Sequence, residues 1–144
     1  MKPLDRSEDA PWKQRFRAWI AVSADVAECN WQRGLAFSNR TGVAQLHAWD
    51  TVSGELRQLT FRPNGKPMGV LDPLGRYVYY HQDAAGDEIG HIVRVPWEGG
   101  EPEDITPAVS PYALSMPAFS LDGSRIAFTS ATRDGFREIG RAHV

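Results

Sequence analysis

The sequence predicts an all-β fold, and three observations predict it. Turn signals recur every 8–12 residues along the 144-residue chain, the rhythm of short strands joined by tight connections. The runs between them are short, β-branched and aromatic, as in residues 33–37, 76–80, 91–95 and 125–129, which suits a pleated surface. No stretch holds a 3.6-residue apolar period for more than a turn or two.

Residues 1–30 read as a lead-in, with a first or closing strand left open. Within it, Trp12, Phe16, Trp19 and Ile20 suit a short helix over 11–20 and an edge strand equally. From residue 31 the strands assign themselves. Strands are expected at 33–38, 43–50 and 55–60, then at 67–71, 76–81, 89–96 and 102–106, then at 114–119 and 125–130, where the pattern breaks off. The separators are Asn39 to Gly42, Asp50 to Gly54, Asp72 to Gly75, Gly99-Gly100 and Asp122-Gly123. Gly supplies the positive φ of tight turns, and Asp and Asn bond nearby backbone N–H groups.

These strands repeat. Met68 to Tyr80 aligns with Met116 to Thr129 if one residue is inserted: strand, Asp-containing turn, Arg, apolar strand. Gly34 to Ser38 matches the second strand again. Arg57-Gln58-Leu59-Thr60 and Glu103-Asp104-Ile105-Thr106 close the unit twice, 46 residues apart. A four-strand unit recurring every 40–50 residues is the signature of a propeller blade. The fold class is therefore an incomplete β-propeller of about three four-stranded blades over residues 31–138. Leu35, Phe37, Val78, Tyr79, Ile126 and Phe128 are expected between blades, since such strands are covered on both faces. The charged Glu55, Arg57, Glu103 and Asp104 suit outer edges, where charge blocks mispairing.

Composition narrows the function. Apolar residues are 42% and charged residues 24%, with net charge −2, so the chain has enough apolar content for a packed core. The 13 Arg and 3 Lys are scattered, which argues against a phosphate-tracking surface and hence against nucleic acid as a partner. No 18-residue apolar run suggests a spanning helix. Met1 to Ala10 is charged and lacks the apolar segment of a secretory signal. A cytoplasmic protein without membrane contact is the expectation. The single cysteine, Cys29, excludes an internal disulfide and reads as a buried, inert thiol.

Individual residues read structurally. His81, Asp83, Asp87, Glu88 and His91 are metal-ligand types around the Gln82 to Gly90 hairpin loop. Zinc needs three or four converging ligands, and an acidic loop imposes no convergence, so this is read as a solvated tip. Trp49-Asp50 echoes the dipeptide of WD-type repeats, with Trp packing and Asp opening a turn. Trp12, Trp19, Trp31, Trp49 and Trp97 read as inter-blade packing. Arg76 and Arg125, both following the blade turn, are expected to bond a turn carbonyl or Asp. No catalytic, cofactor-binding or metal residue is assigned, and no cofactor is expected.

Segments 33–60 and 67–136 resemble the N-terminal propeller of the prolyl oligopeptidase family of serine peptidases, bacterial members above all. The resemblance is carried by Ser38 to Asp50, Ser53 to Thr60, Gly90 to Pro107 and Phe119 to Arg125. It implies a propeller that restricts entry of small peptides to a downstream α/β-hydrolase domain carrying Ser, Asp and His. The expected partners are that domain and, in the intact enzyme, small peptides. This chain departs from the pattern: it holds no G-x-S-x-G elbow, so by itself it should be inactive. The alternative is a propeller that serves only as a binding scaffold, similar to Tol-system or WD-type propellers, which share the Phe119 to Arg125 motif. Finally, Ile139 to Val144 can be encoded by ATC GGA AGA GCA CAC GTC, one frame of a common sequencing-library adapter. Residues 139–144 are accordingly read as an adapter-derived tail on a truncated fragment, with two open blade faces that favour aggregation.

Overall fold

The computed structural model describes residues 3–66, 68–84, 86–115, 117–132 and 135–143, the last segment and residues 16–17 by backbone alone. Pro67, which heads the expected strand 67–71, Met116 within the expected strand 114–119, and Val144 of the tail lie outside the described residues. One helix, α1 (Pro11–Arg17), starts on a proline in its first turn, a position where the missing N–H costs nothing. The helical alternative for residues 11–20 is the one adopted. Twelve strands follow. Blade one is β1 (Ala21–Ala27), β2 (Asn30–Ser38), β3 (Gln45–Asp50) and β4 (Leu56–Gln58). Blade two is β5 (Val70–Leu71), β6 (Tyr77–Asp83), β7 (Gly90–Pro96) and β8 (Glu103–Asp104). Blade three holds β9 (Ala113–Leu114), β10 (Ala118–Phe119), β11 (Arg125–Thr132) and β12 (Gly135–His143).

The fold is that of consecutive propeller blades, each an antiparallel four-stranded sheet. One strand fills a place the sequence reading left open, and another goes beyond it. The lead-in supplies β1, the inner strand of blade one, paired along β2 from Ala21↔Ser38 to Ala27↔Asn30. Blade three continues into β12, paired with β11 from Thr132↔Gly135 to Arg125↔His143. The backbone of residues 139–143 belongs to that strand.

The second strand of a blade shows why the blades stack. On β6, Val78 and Tyr80 face blade one and join Leu35, Leu46, Leu59, Val95 and Trp97 in one core cluster. Tyr79, one residue out of step, faces blade three and joins Ile92, Tyr112, Ile126 and Phe128 in another. Alternation with period two, apolar on both faces, is what a strand sandwiched between sheets requires. Trp97 and Tyr112 anchor the two interfaces, buried with their polar atoms bonded: Trp97 Nε1 donates to Gly34 O at 2.8 Å, and Tyr112 Oη lies 2.8 Å from Thr106 Oγ1.

Blades two and three repeat one register at an offset of 48 residues. Val70↔Tyr79 and Leu71↔Val78 correspond to Ala118↔Ala127 and Phe119↔Ile126. The turn glycines Gly75 and Gly123 also correspond, with φ of 70° and 64°. This corrects the sequence alignment: no residue is inserted before the arginine, and Arg125 takes the place of Tyr77 rather than Arg76. Arg76 does serve the turns, as expected. Its Nε donates to Asp72 Oδ2 at 3.0 Å and its Nη2 to Gly123 O of the next blade at 3.1 Å.

Two further expectations are corrected. Cys29 is exposed, because it sits in the tight turn between β1 and β2, with its N–H donating to Pro73 O at 2.8 Å. Of the tryptophans, Trp97 alone is fully buried; Trp12, Trp19 and Trp31 are exposed. Trp31 lies on β2 of blade one, and Trp12 and Trp19 precede that blade.

Candidate functional site

Antiparallel order divides the ends of the blades. Connections from first to second and third to fourth strand lie at one end; those from second to third strand, and from blade to blade, lie at the other. The two ends differ in chemistry. At the first, the turns are short and clamped. Trp97 lies between the guanidinium groups of Arg33 and Arg57, 4.7 and 5.4 Å from its ring centre. Both arginines also reach Glu98, at 2.5 and 3.5 Å, and Arg33 Nη1 donates to Gly75 O at 3.1 Å. A shallow hollow lies here, lined by Asn30, Gln32, Asp50 and these residues, but its charges are spent on joining blade one to blade two.

At the other end the connections are longer and a cleft of about 530 Å³ opens. Three segments wall it. The eleven-residue link 59–69 between blades one and two contributes Arg62, Lys66 and Met68; β6 and its hairpin loop contribute Tyr79, Tyr80, His81, Asp83 and Glu88; and the start of blade three contributes Ala113, Leu114, Ser115 and Pro117. Its formal charges, Arg62 and Lys66 against Asp83 and Glu88, cancel.

Internal bonds set these groups. Lys66 Nζ lies 3.2 Å from Asp83 Oδ1, both side chains being mostly buried. Burial pushes the Asp83 carboxyl up, but the Lys66 hydrogen bond and charge, with backbone N–H groups of Asp83 and Glu88, outweigh it and hold the carboxyl below its ordinary range. Arg62 Nη2 donates to Asp83 O at 2.5 Å. His81 Nε2 lies 2.8 Å from Tyr112 O. Gly65, at φ 81°, lets the link lie against blade one: a Cβ there would come 2.6 Å from Ala44 O, the carbonyl that accepts Lys66 N–H at 2.7 Å.

The five metal-ligand types of the 82–90 region are separated by this arrangement. Asp83 faces Lys66, His81 faces a backbone carbonyl, and His91 Nδ1 bonds Asp104 Oδ2 at 2.6 Å on the outer strand. Asp87 Oδ1 accepts the N–H of Ile89 at 3.2 Å within the loop. Among the described residues no group of three or more His, Cys, Asp or Glu could hold a metal ion. Sequence reading took the hairpin loop as a solvated tip and missed the 59–69 link opposite. The strands expected at 55–60 and 67–71 leave only residues 61–66 between them, so its length gave no signal.

No family model and no curated protein sequence matches the chain. Solved structures do. TolB from Acinetobacter baumannii is similar with a TM-score of 0.56 and 17% identity, over 86% of this chain and 33% of that one. Puromycin hydrolase, solved as a mutant complexed with PGG, is similar with a TM-score of 0.54 and 19% identity, over 84% of this chain and 19% of that one. The chain thus spans about a third of the one and a fifth of the other. What is shared at these identities is the propeller fold.

Proposed function

We propose that the chain forms N-terminal blades of the propeller of a cytoplasmic serine peptidase of the prolyl oligopeptidase family. There the loop end of the blades faces a downstream α/β-hydrolase domain and restricts which small peptides reach it. The observation that carries this reading is the cleft itself. It lies at the long-loop end, it carries no net charge, and Met68, Tyr79, Ile92 and Leu114 give it an apolar lining, the character of a site for small, largely apolar ligands. The likeness to puromycin hydrolase and the resembling stretches 38–60 and 90–107 support it. In the intact enzyme the chemistry would be acyl transfer by a Ser nucleophile with a His base and an orienting Asp, all outside this chain. No helix among the described residues is long and apolar enough to cross a membrane.

The test is to sequence the source DNA through codon 138 and onward, then assay the full product. A frame that continues to G-x-S-x-G, Asp and His, with hydrolysis of short but not long peptides, is expected. A product without such a domain would overturn the reading. It would favour the second one, a non-enzymatic binding propeller, which the comparable likeness to TolB supports.

A further inference from the structure

Of the three asparagines, at 30, 39 and 64, only Asn64 is followed by glycine. A main-chain nitrogen attacks the side-chain carbonyl of a preceding asparagine most readily where the follower has no Cβ to crowd the approach. The structure sets the three apart further. Asn30 lies within β2, paired opposite Ala27. Asn39 is followed by Arg40, and its Oδ1 accepts Ile20 N–H at 2.7 Å, while Arg40 N–H donates to Ser38 Oγ at 3.2 Å. Asn64 is exposed, on the 59–69 link, outside any strand.

Pro63 and Asn64 form the middle of a turn that Gly65 N–H closes on Arg62 O at 2.9 Å. That nitrogen is the nucleophile the chemistry needs, so the turn must open first. Opening costs little. Arg62 O also accepts Gln45 Nε2 at 2.6 Å, so it keeps a donor when Gly65 N–H leaves it for water. Asp122-Gly123, the comparable pair on blade three, is built the other way. Gly123 is buried, its N–H donates to Ser120 O at 2.8 Å, and Arg76 holds its carbonyl at 3.1 Å. Hydrogen bonds from Ser120 and Ser124 pull the Asp122 carboxyl down to a pKa of about 2, and the resulting anion resists attack by a nitrogen lone pair.

The structure assigns Asn64-Gly65 as a site of spontaneous deamidation in the wall of the cleft. Gly65 N bonds to Asn64 Cγ, and the side-chain nitrogen leaves as ammonia, taking the proton that Gly65 N gives up. The product is a five-membered imide joining the two residues. Water then opens the ring at either carbonyl and leaves aspartate or its β-linked isomer, with no change of oxidation state. Either product places a carboxylate at 64, a position that lines the cleft. The cancelled charges of Arg62, Lys66, Asp83 and Glu88 then leave one negative charge in excess, so the ageing chain loses the neutrality of its cleft. The β-linked product also adds one main-chain carbon to the turn that carries Lys66 N–H to Ala44 O at 2.7 Å. This inference does not rest on any hydrolase domain or on what the cleft binds.

The test incubates the 144-residue chain beside acetyl-Phe-Arg-Pro-Asn-Gly-Lys-amide, the sequence of residues 61–66, in warm, mildly alkaline buffer. Peptide mapping by mass spectrometry, with the β-linked product separated, follows each asparagine. Asn64 should convert about fivefold more slowly than the peptide, the factor that one main-chain hydrogen bond contributes, while Asn30 and Asn39 stay intact. On ion exchange the converted chain should elute with Asn64→Asp. Asn64→Gln should release no ammonia from this segment, because its longer side chain closes a ring far more slowly. An Asn64 still intact when the peptide has fully converted, or Asn39 converting at the same rate as Asn64, would overturn the site. Neither outcome depends on whether the longer protein hydrolyses peptides.

Discussion

The two ends of the blades are built from the same four-strand unit and put to opposite uses. At the turn end, side chains reach across to the next blade's backbone: Arg33 to Gly75 O and Arg76 to Gly123 O, both at 3.1 Å. At the loop end, the link 59–69 leans on blade one through Lys66 N–H and Ala44 O, and a cleft opens beside it. The difference teaches that blade cohesion is concentrated where connections are short. An arginine can bridge two tight turns because their carbonyls are fixed. A longer link is free to open a cleft because little else depends on it.

That contrast predicts large stability effects at the turn end and small ones at the loop end. The largest belongs to Trp97→Ala. It empties the space between Leu35, Ala48 and Val95, strands Gly34 O and frees two guanidinium groups from the ring. Buried Trp→Ala changes cost about 3–5 kcal/mol, so the chain should lose its cooperative thermal transition. A loss below about 1 kcal/mol would show that blades one and two are held elsewhere.

Asp72→Ala comes next. This carboxylate is wholly buried and gathers the N–H groups of Arg76 and Tyr77 at 2.5 and 2.9 Å, with Arg76 Nε at 3.0 Å. Its removal leaves two main-chain donors without their acceptor and the guanidinium without its anchor on the way to Gly123. About 2–4 kcal/mol should be lost on urea titration, since bonds to charged groups are worth about 1.5–3 each. Arg76→Ala should cost less, because the carboxylate keeps its backbone donors. If the order were reversed, the bridge to Gly123 and not the turn would be the essential part.

These residues also mark how far the sequence was legible. The blade repeat was readable, apart from the one-residue misplacement of Arg125, because it is written in a local code: alternating apolar residues for two buried faces, and Gly or Asp where the chain turns. Arg76 was legible as a turn partner for the same reason. Cys29 and Trp31 were not, because burial depends on which neighbour covers a blade face, and composition does not tell it. The cleft was half legible. The hairpin loop is marked by its own acidic run, but the opening depends on Lys66 N–H choosing Ala44 of another blade, a contact 22 residues away that no local pattern announces. β12 was missed because residues 135–143 follow no strict alternation, and pairing rests on backbone groups that every residue carries.

His47 offers a smaller effect, away from both ends. It is buried in blade one, its Nδ1 lying 3.1 Å from Gln45 O and its Nε2 having no partner among the described residues. Burial is the main cause that lowers its pKa below the ordinary 6.5. A lowered folded pKa means that the unfolded chain binds the proton first as pH falls. The stabilisation is whole above about pH 6.5 and is lost as pH drops through the folded value. His47→Gln should flatten the stability profile between pH 7 and 5. An unchanged slope would show that His47 does not set it.

The smallest effect should come from the loop end itself. Lys66→Ala removes the ammonium 3.2 Å from Asp83 Oδ1, yet the link keeps its Ala44 bond and Asp83 keeps its backbone donors. Those retained bonds offset much of the loss, so the variant should melt within a few degrees of the parent. Its signature is pH dependence. The Asp83 carboxyl titrates below its ordinary 3.8 in the folded chain, so its stabilisation is complete above that value and disappears as pH falls through the lower folded one. The parent and Lys66→Ala should therefore differ at pH 7 and converge near pH 2. A variant that destabilises as strongly as Asp72→Ala would break the contrast between the two ends, because the open end would then also be holding the blades together.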